Sequence, residues 1–537
     1  MKTTIKTTFF LLIILNSMFS FSQTWPNYYG QSNIYNYSDD IIEQYDKGFL
    51  ICGNIYSVGN QTTQQSWLIK TNINGDTIWE KIIEGGDDFI RTTAIDQTTD
   101  GGILCCGLVW TATGQNDPYI MKLNSCGEKM WCKVFTGSLN SNVGAQDIKE
   151  TFSGEIIVLM NQFGEYGYED MYLFKLNSYG DVLWQGPYCS GYEHPEGAIP
   201  RGKNIKITSQ DEYLIAGQVY WEDPWNPGGD KGLRAMFTMV DSMGAEKWVL
   251  PFGIQDTILG EGQNIYELND NSFIGLVKKL PSETMQTVLL EFDSLGNTIQ
   301  YVIIDNDQIG SEISKGAPLD FERNDSVYVL GGIYGVPGTG YSTEIILDTN
   351  IFSNLIIYDH FQHINEEEPY TMGITNDGKI ISNSTFKESG NWDISLSKLN
   401  LDLEYDTLYP GTYTYDSLCT EPGLPQSGFI FLDDCDIITG IDVPSPEEYY
   451  AHLQTIPISV YPNPTRKKVN FAMENTRHHK DIALKCFGLM GNIVYETTVA
   501  TGQTETSTTV SDWPQGMYVA VIYSNGFPVG ECKFVVQ

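Results

Sequence analysis

Basic residues are scarce in this chain, with 31 Lys and Arg against 68 Asp and Glu and a net charge of −37. The shortage lies in residues 23–455, which hold 62 acids and 22 bases, whereas residues 456–537 are nearly balanced at seven bases to six acids. Such a surface repels phosphate backbones, so nucleic acid is excluded as a partner. Long apolar runs are missing too: Phe9–Leu15 is too short to cross a bilayer, no other stretch approaches the necessary length, and no transmembrane segment is expected. The motifs that announce catalysis are absent, with no Gly-x-Ser-x-Gly elbow, no His-Glu-x-x-His pair and no phosphate-cradling glycine loop. Only three of six histidines, His194, His360 and His363, fall between residues 23 and 411. His360-Phe-Gln-His363 followed by Glu366, Glu367 and Glu368 could be drawn as a metal site. Three-residue spacing, however, puts the two rings on opposite faces of a strand, so no metal or cofactor is expected.

What the chain does have is a repeat. Hairpin segments of the form Asn72-Ile-Asn-Gly75-Asp-Thr-Ile-Trp79, Asn124-Ser-Cys-Gly127 with Trp131, and Asn177-Ser-Tyr-Gly180 with Trp184 are followed by diverged copies beginning at Asp241, Asp293, Asp348 and Asn400. Their first residues are 52, 53, 64, 52, 55 and 52 apart. Upstream of each hairpin stands an apolar marker (Ile41, Ile95, Ile148, Ile205, Ile265, Leu319 and Met372), then a polar turn and a strand that tends to end in Gly. Each unit reads as four short antiparallel strands. Units of this length form propellers or solenoids, and radial stacking buries each small sheet against its neighbours. The expected fold is all-β, a seven-bladed β-propeller over residues 23–411 followed by a small C-terminal β-sandwich; a stacked solenoid is the rival. Trp25-Pro-Asn-Tyr-Tyr-Gly30 resembles a fourth-strand segment with no repeat before it. It either completes the last blade or is a loose tail.

Residues 1–22, with Lys2 and Lys6, the Phe9–Leu15 core and Ser20-Phe-Ser22, read as a secretory signal peptide. Export admits disulfides among the ten cysteines. Cys419 and Cys435 are the favoured pair, since they bracket a Pro- and Asp-rich stretch without periodicity, and Cys486 with Cys532 is the second choice. Residues 412–455, with Pro422, Pro425, Pro444 and Pro446, read as a linker. Seven strands are expected after it, at 458–461, 469–473, 482–487, 493–497, 506–510, 517–523 and 532–536, a pattern that suggests the sandwich.

This last segment carries Tyr461-Pro462-Asn463-Pro464, then Gly491-Asn-Ile-Val-Tyr495, Gly516-Met-Tyr518, Asn525-Gly526 and the chain end Lys533–Gln537. In these residues 456–537 resemble the type A C-terminal sorting domain of the type IX secretion system. The resemblance implies Sec-dependent export, recognition by the outer-membrane type IX machinery, and a secreted or outer cell-surface destination. Trp513-Pro514 and the cluster Arg477-His478-His479-Lys480 depart from the family pattern.

Four residues before each apolar marker, where the chain enters an innermost strand, stand Tyr37, Arg91, Gly144, Arg201, Glu261, Lys315 and Glu368. Loop-borne polar groups on a propeller face are a common ligand surface. These residues, glycine apart, form the candidate rim for an extracellular glycan or protein. The aromatic loop Tyr220–Trp225 is a second candidate surface. Binding or adhesion rather than catalysis is the expected role; the alternative is a secreted hydrolase acting on polysaccharide through carboxylates in the propeller funnel.

Overall fold

The computed structural model describes residues 24–537 except 31–33, 58–59, 86–88, 111–115, 137–143, 164–168, 190–199, 222–231, 254–257, 269–270, 281–285, 305–315, 325, 335–340, 364, 389–390, 416, 420–425, 440–442, 454–455, 475, 480, 489–491 and 525–526. The signal-peptide reading, Lys315 and most of the aromatic loop therefore lie outside the described residues. The chain divides into two compact units, one running to Gly440 and one from Ile441 to Gln537, with residues 182–186 and 240–245 grouped with the second.

The first unit is all-β. It opens with β1 (Asn27–Tyr29), followed by seven strand groups that track the sequence repeat. Group one is β2–β5 (Ile34–Glu43, Phe49–Ser57, Asn60–Thr71, Thr77–Glu84) and group two β6–β9 (Ile90–Gln97, Ile103–Trp110, Asn116–Leu123, Lys129–Thr136). Groups three and four are β10–β13 (Gly144–Glu150, Ile156–Phe163, Glu169–Leu176, Val182–Tyr188) and β14–β17 (Pro200–Ile207, Tyr213–Trp221, Gly232–Val240, Glu246–Phe252). Groups five and six are β18–β21 (Ile258–Glu267, Ser272–Leu280, Gln286–Asp293, Thr298–Ile304) and β22–β25 (Gly316–Arg323, Tyr328–Tyr334, Tyr341–Leu347, Ile357–Gln362). Group seven has three strands of its own, β26–β28 (Glu366–Ile374, Ile380–Glu388, Asn391–Leu399). The N-terminal β1 supplies the fourth, pairing antiparallel with β28 through Asn27–Leu396, Tyr28–Ser395 and Tyr29–Ile394. Of the two readings of Trp25–Gly30, completion of the last group is what the pairing gives. The first strands of the groups touch in succession, β2 to β6, β10, β14, β18, β22 and β26, and β26 packs back on β2.

Second strands of the groups are covered on both faces, which is why they read as near-continuous apolar runs such as Ile156-Ile-Val-Leu-Met160, all buried. The hairpins explain their own sequence. The Oδ1 of Asn72 accepts the backbone N–H groups of Asn74 and Asp76 at 2.8 and 2.9 Å, and Asp293 does the same for Leu295 and Asn297. Only a short side chain carrying an acceptor closes that turn. The glycine three residues on has positive φ, +76° at Gly127 and +85° at Gly180. A Cβ at Gly127 would lie 2.9 Å from the Trp79 ring, and one at Gly180 2.8 Å from Trp131. The Trp of one group thus sits beneath the hairpin glycine of the next. Trp25 makes the same contact with Gly75, where a Cβ would meet the ring at 3.0 Å. N-terminal residues therefore reproduce not only the strand but also the group-to-group contact.

Among the described residues of 412–439, part of the stretch read as a linker, the chain forms a strap on the first two groups. Its β29 (Gly428–Phe431) pairs parallel with β5, and β30 (Asp436–Thr439) pairs parallel with β9. Ile430 and Leu432 join the apolar core shared by groups one and two, and Tyr415 bonds Trp79 Nε1 at 3.0 Å. The expected Cys419–Cys435 bridge does not form. Cys419 is bonded to Cys126 and Cys435 to Cys132, because the strap lies along the hairpin and outer strand of group two, which bring distant sulfurs closer than the strap's own ends.

In the second unit, α1 (Pro446–Leu453) precedes seven strands, β31–β37, at Ile458–Tyr461, Lys468–Met473, Ile482–Gly488, Ile493–Val499, Glu505–Thr509, Gly516–Ser524 and Phe527–Val536. They form two sheets, ordered β31-β32-β35 and β34-β33-β36-β37. One core joins them, with Val469 and Phe471 from one sheet meeting Leu484, Ile522 and Phe534 from the other. Cys486 and Cys532 remain free thiols, not the bridge expected as second choice, because β36 runs between them and both lie opposite Ala520.

Candidate functional site

The seven first strands share a defect. Register slips by one residue between Ser38 and Asp40 in β2, Thr92 and Ala94 in β6, Ala145 and Asp147 in β10, Gly202 and Asn204 in β14, Gly262 and Asn264 in β18, and Pro318 and Asp320 in β22; a longer irregularity spans Glu367–Thr371 in β26. Bulges of this kind re-aim a side chain. The bulged residues Asp39, Thr93, Gln146, Lys203, Gln263 and Leu319 all face one cavity of about 990 Å³, to which every strand group contributes lining residues.

Beside three of the bulges a carboxylate ties one group to the next. Asp40 accepts Ile95 N at 3.0 Å, Asp147 accepts Ile205 N at 3.0 Å and Asp320 accepts Met372 N at 2.9 Å, while their other oxygens accept Ile41 N, Ile148 N and Phe321 N. A recurring Asp or Asn just before the apolar marker was the sequence signal for this arrangement. It also corrects the register of the sixth unit. The marker there is Phe321, fully buried, rather than Leu319, which is the bulged residue. Counted from Phe321, the position four residues earlier is Ala317; Lys315 lies outside the described residues.

The candidate rim divides between two cavities. Tyr37 and Arg91 line the larger one. Tyr37 packs edge-on against Tyr56 and Trp392, and Arg91 holds Asp39 through Nη2 at 2.6 Å and Nε at 3.0 Å. Arg201 and Glu261 line a second cavity of about 500 Å³, of which Gln146 and Lys203 are shared with the first. Glu261 lies 3.7 Å from Lys203 Nζ, 4.0 Å from Lys278 Nζ and 2.7 Å from Gln263 Nε2. Burial pushes its carboxyl up, but these neighbours outweigh burial and hold it below the usual range. Glu368 lies in β26, but its side chain is outside the described residues.

Several acids near the bulges keep their protons more tightly than usual. Burial, opposed by Lys149, raises Asp40 to about 7, and burial with the charge of Glu322 raises Asp320 to about 6. A separate polar cluster lies in groups six and seven, where His363 Nε2 meets Glu344 at 2.8 Å and Nδ1 lies 3.6 Å from Glu366, all three side chains buried. Ser395 donates to Glu366 at 2.7 Å. Burial would lower the imidazole, but the two carboxylates outweigh it and lift His363 to about 9. His360, by contrast, is exposed.

These groups predict a pH profile. Each folded-state value lies above the ordinary one of 3.8 for Asp or 6.5 for His. Their stabilising protons are fully present below those ordinary values and are lost as pH rises through about 6 to 7 for the aspartates and about 9 for His363. The thermal midpoint is therefore expected to fall by roughly 5 °C between pH 5.5 and pH 9. A flat midpoint across that range, measured by calorimetry, would contradict the burial of these charges.

In the second unit the sorting-motif residues from opposite ends of the segment converge. Asn463 Oδ1 accepts Val535 N at 3.0 Å and its Nδ2 donates to Lys533 O at 3.3 Å. Tyr461, flanked by Pro462, donates to Glu505 at 2.6 Å, and Pro464 is followed by Thr465, whose N–H bonds Val535 O at 2.9 Å. Gly516 pairs with Val536, and Tyr518 packs between Trp513 and Phe534. The aromatic Trp513 that departs from the family pattern therefore fills this core.

No curated protein matches the chain. Among solved structures it is similar to Drosophila semaphorin 2a (TM-score 0.43, 11% identity, covering 96% of this chain and 99% of that one). It is also similar to the α-L-arabinofuranosidase Arb93A of Fusarium graminearum (TM-score 0.40, 10% identity, 61% and 96% covered) and to the polysaccharide lyase Uly1 (TM-score 0.41, 11% identity, 68% and 90% covered). Likeness at this level assigns no activity. Residues 459–537 match the family described as the secretion system C-terminal sorting domain, so this segment is a type IX sorting domain, which implies export to the cell surface or secretion.

Proposed function

We propose that this is a secreted or surface-attached binding protein, a seven-bladed β-propeller whose bulged inner strands surround a ligand cavity, delivered by its C-terminal β-sandwich. In this reading residues 1–22 direct Sec export, the strap to Gly440 belongs to the propeller, and an extracellular glycan is the ligand. The observation that carries it is the cavity of about 990 Å³ lined by polar bulged residues such as Asp39, Thr93, Gln146, Lys203 and Gln263. Hydroxyl-rich ligands suit a wall of amides and paired charges better than apolar ones do. The full chain is expected to bind members of a polysaccharide panel without releasing product, and a panel with no binder would refute this reading. A second reading, hydrolysis, draws on Asp40, a carboxyl raised to about 7 that lines the same cavity. Reducing-end release that disappears in Asp40→Asn would favour it.

A further inference from the structure

Charge is not spread evenly around the two cavities. On the arc of groups three to five the lining holds Lys149, Arg201, Lys203 and Lys206 against Asp147, which Lys149 meets at 3.0 Å, and Glu261. On the remaining arc stand Asp39, Asp40, Glu43, Asp96, Asp320 and Glu322 with Arg91 as the one base, and Lys206 of the first arc reaches Glu322 at 3.3 Å. A region that carries 62 acids and 22 bases thus places a cationic arc on one side of its central opening.

The second cavity lies within that arc. Its lining is Gln146, Asn161, Arg201, Lys203, Gln218 and Glu261 with three glycines, and no apolar side chain takes part. The glycines answer to packing, since a Cβ at Gly217 would strike the Arg201 carbonyl and one at Gly202 the Leu159 side chain. Asn161 is committed to Gly202, donating to its carbonyl at 3.0 Å and accepting its N–H at 2.9 Å. What faces the space is therefore charged and amide-bearing: Arg201, Lys203, which also donates to Gln263 and lies 3.7 Å from Glu261, Glu261 with Lys278 behind it, and the amides of Gln218 and of Gln146, whose Nε2 donates to Gly144 O at 3.1 Å. Guanidinium and ammonium groups favour an anion, and amides favour hydroxyls. A wall without apolar surface gives a hydrophobic peptide side chain nothing to bury.

We infer that this cavity binds an anionic sugar residue, its acidic group held by Arg201 and Lys203 and its hydroxyls by the glutamines. The inference rests on the glycan-binding reading above and specifies the charge of the ligand. About 500 Å³ accommodates a short stretch of one chain end rather than a folded partner.

The test is calorimetric titration of the full chain with oligogalacturonate, a sulfated galactan oligosaccharide, an uncharged cello-oligosaccharide and poly-glutamate. One or both anionic glycans should bind, which also separates carboxylate from sulfate, and the binding should weaken as salt rises from 50 to 500 mM (about tenfold or more). Arg201→Gln and Lys203→Gln should each weaken it by about tenfold. Both side chains are exposed, so an unchanged thermal midpoint is expected to accompany the loss. The uncharged oligosaccharide binding as tightly as the anionic ones, in wild type and variants alike, would overturn the inference and leave glycan binding intact. Poly-glutamate binding as tightly as the glycans would overturn it in favour of an acidic peptide. No glycan binding at all would remove the underlying reading together with it.

Discussion

Replacing Cys126 and Cys132 together by serine should cost far more than the sum of the two single replacements. The bridges to Cys419 and Cys435 close loops of 293 and 303 residues, and the two loops are nearly the same loop. Chain-entropy reasoning assigns about 6 kcal/mol to the first crosslink over such a distance, but only about 3 kcal/mol to the second, which then closes a loop of roughly 20 residues. Each single variant should therefore lose about 3 kcal/mol, and the double variant about 8 to 9, less whatever native strain or residual unfolded structure removes. The double variant also frees the strap, so Ile430 and Leu432 lose their anchor in the core of groups one and two. Urea unfolding with and without reductant reads the effect, and strictly additive single losses would contradict the shared-loop account.

Trp79→Ala is expected to destabilise by about 3 to 5 kcal/mol, the range for truncating a fully buried indole. Trp79 is 0% exposed, lies beneath Gly127, and donates to Tyr415 of the strap at 3.0 Å. The equivalent Trp131 is only half-buried, and its ring nitrogen reaches the Ser178 carbonyl at 3.3 Å. Its truncation should cost less than half as much. The comparison separates burial from the repeat contact itself: equal losses at the two positions would assign the energy to the contact with the next hairpin and not to the indole's burial.

Much of this architecture was legible because it is local. The Asn or Asp of each hairpin, and the Gly and Trp of the first four, recur at fixed offsets for reasons contained within one unit and its neighbour: a side-chain acceptor closes a turn, a positive φ admits glycine, and a ring fills the space under it. The seven strands of the second unit were legible from short β-branched runs between turn residues. What escaped was either long-range or ambiguous. The strap's prolines and acids hide the fact that Phe429–Phe431 and Ile437–Ile438 find partners in β5 and β9, more than 300 residues earlier. The sulfur pairing followed from that same placement. In Pro318-Leu319-Asp320-Phe321, two apolar residues stood two apart, and only the bulge decides which is buried. The candidate rim was chosen by counting from the marker, and counting could not reveal that Tyr37 and Arg91 line one cavity and Arg201 and Glu261 another, nor that His363 is enclosed by Glu344 from a different strand.

The pairing of β1 with β28 has a consequence for biogenesis. Residues 27–29 leave the ribosome long before residues 394–396 and have no partner in this ladder until those follow. A chain halted during translation or translocation anywhere before that point keeps one ladder unmade at each end. Completion of this last sheet thus requires that all seven strand groups have been made, and the sorting segment follows them in sequence.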